Sequence, residues 1–290
     1  MTAVCVLGTV AAGVSGFSYL FARLYCRPER RPPNATPADF ALPFEPVSLS
    51  SHGKTLKGWF MPARDKAAPW PAVVIAHGWS HNAARMLPVA RLLHEAGFSV
   101  LSCDARGHGG SDGDGPITMK KIAEDILSSV RYLRSRPDVD GSRICVVGHS
   151  IGGAGGILAV SLEPRIRALV SISAFADPYT LTRRHMRGAH IPRWPFLWLV
   201  RRFIESWLDT TMADVAPKNR IGRVTAPVLL IHGDSDKVVP STDMDVIYGQ
   251  AKEDNTQRWL VPGRRHSDVF QDPGFGPRVV DFLLASGGSS

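Results

Sequence analysis

One serine in this chain stands where its hydroxyl could become a nucleophile. Residues Gly148 to Gly153 read GHSIGG, after an apolar strand-like run from Arg143 to Val147 and before a stretch rich in Gly and Ala. G-x-S-x-G between a strand and a helix makes a tight elbow, in which small flanking residues let the backbone turn sharply and expose the hydroxyl, here that of Ser150. A serine hydroxyl attacks a carbonyl only when a base takes its proton, and the base must be oriented by an acid. Downstream, Asp236 stands in HGDSDKVVP and His266 in PGRRHSD, each just beyond an apolar run, with Asp234 as a competitor for the acid role. Such a constellation performs acyl transfer, and its transition state carries an oxyanion that needs N–H donors fixed in advance. The amide of Ile151, opening the helix after Ser150, is one candidate donor. The amide of Trp79, in His77-Gly78-Trp79 after another apolar run, is the second. His77 and His149 are expected to pack and hydrogen-bond beneath these loops instead of moving protons.

Residues so far apart meet only if a fold carries them to one place. Continuous apolar runs at 72–76, 98–103, 143–148, 167–172, 227–232 and 257–261 predict parallel strands buried on both faces. Helical periodicity lies between them, clearest where Ile122, Ile126, Val130 and Leu133 recur at spacings of three and four. Two earlier runs, 44–50 and 55–60, flank His52-Gly53 and predict an antiparallel hairpin. The pattern is α/β, a doubly wound, mostly parallel sheet that places its sites at the carboxyl ends of strands. The rhythm breaks over about 174–224, which predicts an inserted helical cap.

The beginning of the chain differs in kind. Ala3 to Ala22 carry no charge, and twenty helical residues span roughly 30 Å, so residues 1–26 are expected to be a single-pass transmembrane anchor. A cleaved signal peptide would open with a basic stretch, whereas the first charge is Arg23. Arg23, Arg27, Arg30 and Arg31 follow the span and predict a catalytic domain on the cytoplasmic side of the membrane. Residues 27–43, with five prolines, read as a tether, and 44–290 as the catalytic domain including the cap. The net charge of +8 lies in two segments, +3 over 1–32 and +5 over 173–225, the rest of the chain being neutral. Neither segment carries a nucleic-acid reading motif, so attraction to an anionic membrane surface or acidic substrate is the better reading. Four cysteines give no secreted disulfide framework, and Cys103 and Cys145, in apolar runs, are expected to be buried thiols. No metal site is expected: H-E-x-x-H is absent, and Asp112 and Asp114 echo a calcium loop without its closing Glu. G-x-G-x-x-G spacing is absent from the glycines at 148–156.

HGW at 77–79, DARGHGGSDG at 104–113, GHSIGG, HGDSDKVVP and the late His266 resemble the α/β-hydrolase superfamily. The likeness is greatest to its monoacylglycerol-lipase-like and serine-aminopeptidase-like members, some of them membrane-anchored, and runs from about Phe44 to Leu284. It implies the roles of Ser150, Asp236 and His266 given above, no metal and no organic cofactor. It also implies a structural role for the 104–113 loop, with Asp104 and Arg106 holding strand-end loops. In the cap, Phe196, Val200, Phe203, Ile204 and Trp207 fall on one helical face and Arg201, Arg202 and Glu205 toward the other. With Arg183, Arg184, Arg187, Arg193, Trp194 and Trp198 upstream, this stretch suits either packing over an acyl pocket or packing plus contact with a lipid interface. The expected activity is hydrolysis of carboxylic esters, either lipid or small acyl esters, through an acyl-enzyme on Ser150. The alternatives are a peptidase or amidase of the aminopeptidase type, acyl transfer to an acceptor other than water, and a non-catalytic binding module. The last is disfavoured by a complete set of Ser150, Asp236 and His266.

Overall fold

Apolar runs too short for helices and rich in Val, Ile and Leu become strands, and they do so here at nearly every place the pattern marks. The computed structural model describes residues 2–63, 68–186 and 193–287, with the side chains of 2–7, 10, 193 and 287 outside the description. Among the described residues eight strands form one sheet: β1 (Glu45–Ser51), β2 (Lys54–Met61), β3 (Trp70–Ala76), β4 (Ser99–Cys103), β5 (Val139–His149), β6 (Leu169–Ile172), β7 (Val228–Gly233) and β8 (Thr256–Val261). Their order is β1-β2-β4-β3-β5-β6-β7-β8. β1 and β2 are the predicted hairpin, antiparallel to each other; β2 is in turn antiparallel to β4, and every pairing from β4 onward is parallel.

Helices cover both faces, so β4, β6 and β7 are buried along their whole length, whereas β8, expected to be buried on both faces, is the edge strand and is exposed over much of its length. On one face α3 (Met119–Ser135) buries Ile122, Ile126, Val130 and Leu133, the stripe expected from its spacing, and its N-cap Thr118 accepts a hydrogen bond from the amide of Lys121. Beside it lies α4 (Ile151–Leu162). A Cβ at Gly155 would come within 2.9 Å of Ile122, so glycine lets α3 and α4 approach closely. On the other face α2 (Leu87–Glu95) and the last helix, α9 (Phe275–Gly287), bury Leu87, Leu93, Phe275 and Val279 against Val73, Val147 and Val170. Cys103 and Cys145 are buried free thiols.

The 104–113 loop is anchored by charge. Asp104 accepts from the amides of Ala83 at 2.7 Å and Gly110 at 2.8 Å. Buried Arg106 reaches Asp125 at 2.7 Å, Glu124 at 2.6 Å and Asp114 at 3.1 Å, and it also donates to the carbonyl of Lys121 at 2.9 Å. These ties fix the loop that follows β4, next to the one that follows β3.

Between β6 and β7 the predicted interruption contains α5 (Pro178–His185), α6 (Trp198–Leu208), α7 (Met212–Val215) and α8 (Pro217–Arg220). Arg187 and the Arg193 side chain lie outside the described residues. α6 buries Val200, Ile204 and Leu208 toward the domain. Glu205, expected on the outward face, is buried instead: it pairs with Arg201 at 2.9 Å and accepts from the amide of Met212 at 3.1 Å, thereby capping the turn into α7.

The amino-terminal helix corrects one expectation. α1 (Thr2–Tyr25) is a helix, yet among the described residues no helix is long and apolar enough to cross a membrane. The side chains of 1–7 and 10, which open the predicted span, lie outside the description. The second half of α1 is laid against the cap: Phe17 and Phe21 pack on Phe196, tilted and edge-on respectively, with ring centroids 5.4 and 5.3 Å apart, and Tyr19 meets Phe203 and Trp207 edge-on. The chain beyond it is fastened too. Arg30 Nε donates to the carbonyl of Gly109 at 2.9 Å, Glu29 N to Ser80 Oγ at 3.0 Å, and Asn82 Nδ2 to the carbonyl of Arg31 at 3.0 Å.

Candidate active site

Ser150 sits between β5 and α4 with φ 55° and ψ −118°, a conformation a side-chain-bearing residue adopts only when its surroundings impose it. The surroundings here are glycines. A Cβ on Gly152 would collide with the carbonyl oxygens of Ala76 and His77, and one on Gly148 with the backbone of Gly152 and Gly153. The elbow can therefore press against the end of β3 only because these residues lack side chains, and the amide of Ser150 then bonds the carbonyl of Ile172 at 2.8 Å.

The structure brings the three predicted side chains together. Ser150 Oγ lies 3.0 Å from His266 Nε2, and His266 Nδ1 lies 2.7 Å from Asp236 Oδ2. Asp236 comes from the loop after β7 and His266 from the loop after β8, both at carboxyl ends of strands. The other carboxylate oxygen of Asp236 accepts from the amides of Val238 at 2.8 Å and Val239 at 2.9 Å. His232, at the end of β7, lies 3.2 Å from Oδ2 and donates to the carbonyl of Val239 at 2.9 Å. Burial raises the Asp236 pKa, but the hydrogen bonds from His232 and His266 and the nearby His266 charge outweigh it and hold the carboxyl well below the usual carboxylate range. Asp234 does not compete: it is exposed and accepts from the amide of Gly263 at 2.8 Å.

His77 and His149 are fixed as neutral struts. His77 bonds the carbonyl of Gly78 through Nδ1 at 2.8 Å and accepts from the amide of Ala105 through Nε2 at 3.0 Å. His149 Nε2 donates to the carbonyl of His266 at 2.7 Å, tying down the loop that carries the base. Burial pushes the His77 imidazole down to about 4 and that of His149 down to about 3, so neither is a useful base near neutral pH.

The expected oxyanion donors border the same space. Ile151 is the first residue of α4, whose N–H has no acceptor within its own helix. The Gly78-Trp79 loop passes so close that a Cβ on Gly78 would lie 3.5 Å from Ser150 Cβ. Trp79, Ile151, Ser150 and His266 all line one cavity of about 640 Å³. Its walls are mostly apolar: Ile117, Met119 and Phe175 from the domain, Ile204, Leu208 and Met212 from the cap.

Sequence reasoning missed two parts of this site. His232, the second partner of Asp236, looks like an ordinary strand-end residue, and only its separation of four from Asp236 across a turn hints at contact. Leu24, Tyr25, Cys26 and Arg27 also line the cavity, although the sequence reads the first three as the end of an anchor and Arg27 as the start of a tether.

The sequence profile of the family described as serine aminopeptidase, S33, matches residues 67–218, just over half of the 290-residue chain. The chain belongs to this family. This S33-family hydrolase is thus an α/β-hydrolase, as its motifs implied. It is 30% identical over 241 residues to YfhR of Escherichia coli K12, an uncharacterized protein, across 81% of this chain and 78% of that one. Similarity to Rv2307c of Mycobacterium tuberculosis, also uncharacterized, is 30% over 268 residues, across 91% and 87% of the two chains. Among solved structures, the Pyrococcus furiosus esterase Pf2001 superposes with a TM-score of 0.72 at 26% identity, covering 90% of this chain and 98% of that one.

Proposed function

We propose that this hydrolase is a serine esterase acting on acyl esters of lipids or small molecules. The observation that carries the reading is the hydrogen-bonded chain from Ser150 Oγ through His266 to Asp236 at the wall of an apolar cavity. His266 Nε2 takes the Ser150 proton as Oγ bonds to the ester carbonyl carbon, and the carbonyl electron pair moves onto oxygen beside the amides of Trp79 and Ile151. Collapse of this intermediate breaks the C–O bond, and the leaving alkoxide takes the proton from His266. Water then attacks the acyl-enzyme, giving its proton to His266, which returns one to Ser150 as the acid departs. His232 and the Val238 and Val239 amides keep Asp236 charged and aimed, so that His266 presents an unprotonated Nε2 to the serine.

Two features favour esters over peptides. Among the described residues lining the cavity there is no Asp or Glu to hold the ammonium of a peptide amino terminus, while Arg27, His81 and His185 border it. Pf2001, similar over its whole length, is an esterase. p-Nitrophenyl butyrate is therefore expected to be turned over at least tenfold faster, in kcat/KM, than aminoacyl p-nitroanilides; the opposite order would replace the esterase with an aminopeptidase.

The substrate is met at a membrane surface in this reading. Phe17, Leu20 and Leu24 of α1 and Trp194 and Trp198 of the cap are each more than half exposed, on two elements that pack together. Arg23 and Arg202 are exposed on the same elements, and Arg27 is exposed just after α1. An apolar surface bordered by arginines suits the boundary between anionic headgroups and acyl chains. Vesicles containing phosphatidylserine are expected to retain the full chain, and the double replacement Trp194→Ser, Trp198→Ser to lower retention severalfold. Equal retention would remove the membrane from the account.

A further inference from the structure

We infer that the last turn of α1 forms part of the acyl-binding wall, so that Leu24, Tyr25 and Cys26 set which chain lengths the enzyme accepts. The inference rests on the esterase reading and adds to it a specificity element lying more than a hundred residues before Ser150.

Leu24, Tyr25 and Cys26 line the cavity that also contains Ser150 and His266, together with Ile204 and Leu208 of the cap. Cys26 is buried, Tyr25 half-buried and Leu24 exposed, so this turn reaches from the interior of the pocket to its rim. All three present apolar surface to a site that already has its polar catalytic groups elsewhere.

Attachment is the second element. A wall that selects by length must hold its place, because a loose segment would yield to a longer chain. The carbonyl of Cys26 accepts from the amide of Ile117 at 2.7 Å, fixing the end of the helix to the domain. Tyr25 Oη and His185 Nδ1 lie 3.0 Å apart, fixing the same turn to α5 of the cap. One turn back, Phe21 packs on Phe196. The turn is thus joined to both halves of the pocket, and pocket shape depends on it. Each methylene that finds apolar contact tightens binding about fourfold, so a few methylenes gained or lost at this wall change affinity by about tenfold or more.

The test uses the full chain and measures the ratio of kcat/KM for p-nitrophenyl dodecanoate to that for p-nitrophenyl acetate, below the micelle concentration of the longer ester. Cys26→Phe inserts bulk into the pocket interior. Leu24→Asp sets a carboxylate on the wall near the rim; since Leu24 is exposed, this variant keeps the hydrophobic core intact if Cys26→Phe fails to fold. Each folded variant is expected to lower the ratio at least tenfold, chiefly through KM for dodecanoate. A ratio within twofold of the parent's in Leu24→Asp overturns the inference, as does an equal fall for both esters, which a purely structural role would produce. In either case acetate turnover by the parent leaves the esterase reading standing, whereas a parent that hydrolyses neither ester overturns both.

Discussion

Asp236→Asn is expected to lower kcat for ester hydrolysis by about 10³- to 10⁴-fold with little effect on folding. The reason lies in which atoms the carboxylate serves. Oδ1 accepts two backbone amides, from Val238 and Val239, so an asparagine at this position turns its carbonyl oxygen toward them. Its NH2 group then faces His266 Nδ1, where Oδ2 now accepts at 2.7 Å. A donor in that place forces Nδ1 to accept, the ring proton moves to Nε2, and the nitrogen facing Ser150 can no longer take a proton. Pre-steady-state kinetics with an activated ester separate this loss from any change in binding, and a loss below tenfold would mean that Asp236 does not set the tautomer. In the wild-type protein the Asp236 pKa is depressed. Its contribution to stability is therefore complete above about pH 4, the unfolded value, and is lost only as pH falls through the lower folded value. Over any ordinary assay range Asp236 stays charged.

Arg106→Leu is expected to cost about 3–5 kcal/mol of folding stability, measured by urea denaturation. Arg106 and Asp125 are both buried, and the guanidinium also reaches Glu124 and Asp114. Burial raises the Asp125 pKa and Arg106 lowers it, so without the guanidinium the buried carboxylate keeps two neutral donors, the Ser51 hydroxyl at 2.7 Å and the backbone amide of residue 106 at 2.8 Å, and loses its counter-charge. The loop that would lose its anchor lies against His77 through Ala105, so activity should fall along with stability. A loss under 1 kcal/mol would show that the network is dispensable.

How far the sequence foretold this arrangement depends on the kind of signal each part leaves. The strands and the nucleophile elbow were legible because their physics is local: a buried parallel strand needs a continuous apolar run, and a strained serine needs glycines beside it. Asp236 and His266 were legible because each follows such a run directly. The cap was legible only as an interruption. Periodicity in α6 marks an apolar stripe but not what covers it, and Phe203 and Trp207 meet α1 while Ile204 and Leu208 face the cavity. Glu205 became buried because Arg201 and the start of α7 satisfy it, and neither contact leaves a mark in composition. The uncharged run at the beginning of the chain is as compatible with packing on a cap as with lipid. Its contacts with Phe196 and Phe203 depend on tertiary geometry, which hydropathy does not encode.

The central claim is that the Ser150 hydroxyl is the nucleophile, and covalent capture tests it most directly. After incubation with a fluorophosphonate, intact-mass spectrometry should show one adduct per chain, mapped by peptide sequencing to the segment containing Ser150, and no adduct on Ser150→Ala. An adduct on another residue, or equal labelling of the two proteins, would contradict the account.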